Sequence, residues 1–249
     1  MLRQFGAMDN HLTGPIPRSF KNCTNLVRIR LERNELVGNI GESFGVYPHL
    51  EYMVLSDNRL YGELPPILGE CYNLTALKIS RNKITEGIPI EFEKLAKLEV
   101  FDLSSNYLTG EIPVQLSSMA TLYSLSLGKN KFSGRIPTKI GKLHNLEWLD
   151  LSQNCLSGPI PEEIGDCSHL VSLKLSENIL NGSIPGRVGS LIHLQMLLDL
   201  SHNAHVGEIP SQLSNLASLE MLNLSHNQLS GSIPFSFQDM SSLTSVDVS

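Results

Sequence analysis

The sequence predicts an α/β solenoid, a right-handed stack of short coils in place of a globule around one core. Three observations predict it. An asparagine returns along the whole chain, at Asn10, Asn34, Asn58, Asn82, Asn106, Asn130, Asn154, Asn178, Asn203 and Asn227; eight of the nine steps are 24 residues and the step from Asn178 to Asn203 is 25. Apolar residues keep fixed places around each marker, as in residues 145–165, NLEWLDLSQNCLSGPIPEEIG, where Leu146, Leu149, Leu151, Leu156 and Ile160 form the frame. Glycine four residues after the asparagine and proline seven after it each recur in nine of ten repeats, with Glu86 and Gly41 the departures. A fixed period of this size is the mark of a repeat array, whose coils bury their apolar faces only by stacking.

Each part of the frame has a physical task. Leu149 and Leu151 alternate with period two, so both face one side of a short strand, and successive strands stack in parallel about 4.8 Å apart. The asparagine amide, with two donors and two acceptor lone pairs, suits a ladder that ties a turn to the neighbouring coil. Glycine permits a positive φ in the bend, and proline sets an extended, donor-free backbone on the outer side. Outer segments such as EEIG or SQLS are too short for long helices, so 3-10 or irregular convex segments are expected. The LxxLxLxxNxL pattern inside this period identifies a leucine-rich repeat, expected as one repeat domain over residues 1–249.

A net charge of −6 and a pI near 5.7 give no electrostatic reason to expect nucleic acid. No run of about 18 apolar residues occurs, so no insertion of this segment into a membrane is expected. Nor is a leader expected, because LRQFGAMDN already follows Met1 in repeat phase. Cys23, Cys71 and Cys167 each lie eleven residues before a ladder asparagine, where other repeats place Leu95, Leu143 or Leu216. They read as free, buried core fillers. Asn22-Cys-Thr, Asn73-Leu-Thr, Asn181-Gly-Ser and Asn223-Leu-Ser are potential glycan acceptors at Asn22, Asn73, Asn181 and Asn223, and mildly favour an extracellular context.

NHLTGPIP, HNQLSGSIP and the recurrent NxLxGxIP resemble the plant-type leucine-rich repeat along the whole chain. QFGAMDNHLTGPIPRSFKNCTNLVRIRLERN, SFGVYPHLEYMVLSDN and SSLTSVDVS are similar to ectodomains of plant receptor-like kinases, nearest to the male-discoverer-interacting group. The resemblance implies an extracellular solenoid that binds a secreted peptide or protein and recruits a leucine-rich-repeat co-receptor kinase. It implies a place on the extracellular face of the plasma membrane, in defence or developmental signalling. The parent's cysteine-paired caps, transmembrane helix and Ser/Thr kinase have no counterpart in these residues, so the chain is expected to be an internal piece of such an ectodomain or the product of a truncated gene. Uncapped terminal coils are then expected to fray and to aggregate.

Residues flanking the strand leucines face solvent on the concave surface. The column four before the asparagine begins basic and turns acidic, from Arg30 and Lys78 to Asp102, Asp150 and Asp199. The column six before carries Arg28, Tyr52 and Trp148, with Tyr123 one place further out. Trp148, the single tryptophan, is a candidate partner contact, and Tyr123 is expected to extend its patch. Asp150 is a further candidate, although aspartate in LDLS is also a generic feature of the repeat. Arg28 and Arg30 flank the inward Ile29, and two guanidinium forks on one strand suit a carboxylate. Several plant peptide receptors carry an RxR pair in this phase that receives the peptide's free C-terminus. The other reading is a solvated pair balanced by Glu32 and Glu51. His202 and His226 share a column and read as solvated histidines or, with a third ligand, a metal site. His205, in a leucine position, reads as a tolerated core defect.

The expected function is peptide recognition by a receptor segment. The alternative is a secreted inhibitor of a microbial wall-degrading enzyme, like the polygalacturonase inhibitors. No phosphate loop, nucleophile elbow or metal-ligand cluster appears, so neither an enzyme nor a cofactor is expected.

Overall fold

The computed structural model describes residues 2–249, and its spine is a sheet of eleven parallel strands running from Gln4–Gly6 to Ser245–Asp247. Each strand pairs with its counterpart one coil away, as Arg28, Ile29 and Arg30 do with Tyr52, Met53 and Val54. The central residue of these threes points inward: Ile29, Met53, Leu77, Phe101, Leu125 and Leu149 are buried, while their flanks reach solvent except at Ala76. The core is one continuous cluster from Ile16 to Met240.

The asparagine ladder closes each turn. The Asn58 amide donates to Leu31 O in the preceding coil (2.9 Å) and to Leu55 O and Ser56 O in its own, while its Oδ1 accepts from Leu36 N at 3.0 Å. The cross-coil acceptance recurs from Asn34 to Asn227. The residue before each asparagine, from Asp9 to His226, is not glycine, yet it takes a left-handed φ between 51° and 57°. That conformation costs an L-residue about 1–2 kcal/mol, and the asparagine bonds on both sides of the turn offset it.

The frame's two departures show what its glycine and proline do. The glycines of the bend all have positive φ, and Glu86, in the same position, is forced to 63°. Beyond that coil the second set of strands is interrupted: a four-stranded sheet ends at Lys83–Thr85, and a five-stranded one begins at Ser133–Gly134. Proline caps nine 3-10 turns on the convex side among the described residues, such as Pro161 before Glu162–Asp166. Where Gly41 replaces it, Ile40–Ser43 makes one α turn, and the Asn39 side chain accepts from Gly41 N at 2.9 Å.

The 25-residue step resolves into a bulge. Gln195 N and Met196 N both donate to Val171 O, and the strand resumes at Leu197–Asp199 in normal register. Met196 is the extra residue, and it is pushed into solvent. Further along the same coil His205 is fully buried in its leucine slot, with Nδ1 3.3 Å from Gly182 O and Nε2 without a partner. All four cysteines are free; Cys71 and Cys167 are buried core fillers. Cys23 corrects the expectation, being only half-buried, with the coil of Asn10 alone packed on that side of it among the described residues.

Candidate functional site: the concave groove

The inward strand residues leave two rows of outward side chains on the concave face, and these line two depressions. The first, about 700 Å³, spans the coils of Arg28, Tyr52, Lys78, Val100 and Tyr123. The second, about 370 Å³, lies under Trp148, Met196, Leu197 and Met221 with Asp150 and Lys174 at its edge. Cations and hydrogen-bonding groups dominate the first, and apolar side chains the second.

Arg28 and Arg30 leave the same strand in different states. The Arg28 guanidinium lies 4.6 Å from the centroid of the Tyr52 ring, an attractive cation–π geometry. It has no carboxylate partner among the described residues. The Arg30 fork is already occupied: Nε donates to Glu32 Oε1 at 2.9 Å, and Nη2 donates to the same oxygen. One edge of Arg30 is thus taken by a counter-charge, its Nη1–Nη2 end stays open, and Arg28 faces the groove with no carboxylate bonded to it among the described residues. Of the two expected counter-charges, Glu32 takes this part, whereas Glu51 pairs with neither arginine. Arg33 and Arg81 are neutralised across coils by Asp9 and Asp57. Lys78 lines the groove beside Asp102, its register neighbour on the next strand.

Asp150 accepts from Ser152 N at 2.9 Å and from Ser152 Oγ at 2.6 Å. Asp102, Asp199 and Asn223 hold Ser104, Ser201 and Ser225 in the same way. The carboxylate therefore closes a local turn, one Oδ1 being committed to it. Tyr123 and Trp148 part company: Tyr123 lines the cationic groove and Trp148 the apolar one. His202 and His226 lie with ring centroids 4.1 Å apart, and no group of three metal-capable side chains occurs among the described residues. Of the sequon asparagines, Asn22 and Asn181 are exposed. Asn73 is tied to Pro48 O and Lys97, and Asn223 lies on the concave strand holding Ser225.

Sequence reasoning passed over two features. Glu32 stands two residues before its asparagine, where Ser56, Ser80, Ser104 and Ser152 stand in later coils. It is the one charged residue in that column, where Met8 and Gly128 are the other departures from serine, and that charge was its signal. The apolar depression depends on Met196 and Met221, and the 25-residue step was the sign that Met196 would be displaced.

Leucine rich repeat family models match residues 120–180 and 192–249 and, in a second model, 49–71, 73–95 and 97–119, together about three quarters of the chain. No curated protein matches the sequence. Among solved structures, the plant peptide hormone receptor RGFR1 in complex with RGF2 is similar at 32% identity with a TM-score of 0.75, over 100% of this chain and 47% of that one. The Arabidopsis receptor kinase HAESA, in complex with the peptide hormone IDA and the co-receptor SERK1, is similar at 29% identity and a TM-score of 0.76, over 99% of this chain and 50% of that one. A plant ice-binding protein is similar at 26% identity and a TM-score of 0.66, over 97% of this chain and 80% of that one. The chain thus spans about half the length of the two receptors it matches.

Proposed function

The chain belongs to the leucine-rich repeat family, and on that premise we propose that it is a peptide-binding stretch of a plant cell-surface receptor ectodomain. The observation that carries the reading is the concave face itself. One rigid surface presents an unpaired guanidinium at Arg28 and an apolar depression under Trp148. Five strand spacings separate those coils, about 24 Å, which an extended peptide of about seven residues spans. The peptide's terminal carboxylate would meet Arg28 and the free edge of Arg30, with Lys78 and Tyr52 beside it. An apolar side chain further along would enter the depression under Trp148, with Tyr123 between the two. Asp150, with its second oxygen still open, would accept from the peptide backbone.

Two matched structures support this reading: one is a plant peptide hormone receptor in complex with RGF2, and the other holds the peptide hormone IDA. One of them also holds a co-receptor, and a leucine-rich-repeat co-receptor kinase is the second partner we propose here. The setting is the extracellular face of the plasma membrane, where Asn22 and Asn181 would be open to glycosylation. The male-discoverer-interacting group is our narrower assignment, carried by the sequence likeness alone, and both defence and development fit it. The test is to screen synthetic secreted-type peptides, then map hydrogen exchange with the best binder. Protection should fall on the strands from Arg28–Arg30 to Trp148–Asp150. Protection confined to the convex 3-10 segments would overturn the reading.

A further inference from the structure

We propose that Glu32 tunes the Arg28–Arg30 pair to accept a single carboxylate and to refuse a dianionic group such as sulfate or phosphate. The inference rests on the reading of this groove as a carboxylate site. Its starting point is a misplaced charge. The position two before each asparagine faces the groove floor and holds serine in most later coils, as at Ser56 and Ser80, whose hydroxyls bond each other at 2.9 Å. The turn geometry therefore does not require a carboxylate there. Glu32 nevertheless brings one, on a side chain only 6% exposed.

Both donated bonds from Arg30 go to Oε1, and Oε2 is buried with no donor among the described residues. A buried carboxylate oxygen without a donor is costly, and a groove that needed only rigidity would be better served by serine. Two consequences follow for an incoming anion. The first is charge. Two guanidinium groups and one carboxylate leave a net single positive charge, since Asp9 cancels Arg33, Asp57 cancels Arg81, and Asp102 stands beside Lys78 as an opposite charge. A monoanion neutralises that charge, whereas a dianion leaves an uncompensated negative charge facing Glu32. The second is geometry. The Nε–Nη2 edge of Arg30 is taken, so the anion meets the whole fork of Arg28 and only the Nη1–Nη2 end of Arg30. Those two open ends can each receive one oxygen of a carboxylate, while the Glu32 carboxylate holds the third side of the site.

The experiment uses two defined probes at constant ionic strength: N-acetylglycine, which mimics a peptide C-terminus, and inorganic sulfate. Binding is read from the arginine side-chain Nε–H signals of the wild-type chain, of Glu32→Ser and of the isosteric Glu32→Gln. In the wild type, N-acetylglycine should shift the Arg28 signal saturably, and sulfate should bind no more tightly. In both variants the ratio of sulfate to N-acetylglycine affinity should rise at least tenfold. Glu32→Gln preserves the packing, so it holds the claim to charge if Glu32→Ser disturbs the coil. An unchanged ratio in both variants, with N-acetylglycine still binding, overturns the role of Glu32 and leaves the groove reading standing. If neither probe reaches Arg28 in any variant, the carboxylate site falls, and this inference falls with it.

Discussion

Replacing His205 with leucine should stabilise the chain, and by more in acid than at neutral pH. The histidine occupies a slot that holds Leu156 and Leu180 in the preceding coils, and it is fully buried. Gly182 O can only accept, so the proton sits on Nδ1, 3.3 Å away, and Nε2 is left as a buried acceptor without a donor. Removing an unsatisfied buried polar atom returns about 1–3 kcal/mol, against a lost hydrogen bond of about 0.5–1.5 kcal/mol. The net gain near pH 7.5 is then about 1–2 kcal/mol. Burial also lowers the imidazole pKa below its ordinary 6.5, outweighing the bonds to Gly182 and Asn181 that would raise it. The folded chain therefore takes up its proton at lower pH than the unfolded chain. Stability is complete above about pH 6.5 and falls as the pH drops, by at most about 1.4 kcal/mol per pH unit until the folded pKa is reached. His205→Leu removes that dependence. Guanidinium unfolding of both chains at pH 7.5 and 5.5 measures it. A difference between the chains that does not widen at pH 5.5, or a less stable leucine variant at either pH, would refute the reasoning.

Glu86→Gly should gain about 1 kcal/mol by relieving a left-handed side-chain residue, net of glycine's entropic cost, since Glu86 is exposed at φ 63°. Gly110→Ala should lose a similar amount, because its φ is 78° and no atom lies within 4 Å of the added Cβ; thermal melts of the pair should move in opposite directions. Native thiol labelling should modify Cys155 first and Cys71 and Cys167 last; burial pushes the Cys167 thiol up to about 12 and raises that of Cys71. Arg30→Ala should cost about 1–3 kcal/mol by leaving Glu32 buried without its partner, and chemical denaturation of Arg30→Ala with Glu32→Ser should recover most of it.

The period and its phase made the fold legible. Once Asn154 and Leu149 were placed, the inward and outward residues of every coil followed from a repeat of 24, and so did the parallel sheet. The left-handed residue before each asparagine was not legible, because Asp9, Lys129 and His202 share no chemistry that marks a positive φ. Ladder bonds from neighbouring coils impose it. At the site, columns gave which residues share a face but not how side chains divide among partners. Arg28 and Arg30 read as equivalent in sequence, yet one rests on Tyr52 and the other is taken by Glu32. Tyr123 and Trp148 likewise read as one patch, and the difference in their neighbours separates them. The displaced Met196 lines the apolar depression, and a one-residue insertion does not state which residue leaves the register.

The central claim is that an anionic peptide terminus is received at Arg28 and Arg30, and amidation tests it most directly. Affinities of one binding peptide, as free acid and as C-terminal amide, would be measured by calorimetry on the wild-type chain and on Arg28→Ala. A charge-assisted bond contributes about 1.5–3 kcal/mol, so amidation should weaken wild-type binding by roughly ten- to a hundredfold. Arg28→Ala should remove part of that, and on that variant amidation should cost less than on the wild type, because the two changes share an interaction. Equal affinity of acid and amide for the wild-type chain would contradict the account and leave Arg28 as ordinary surface charge.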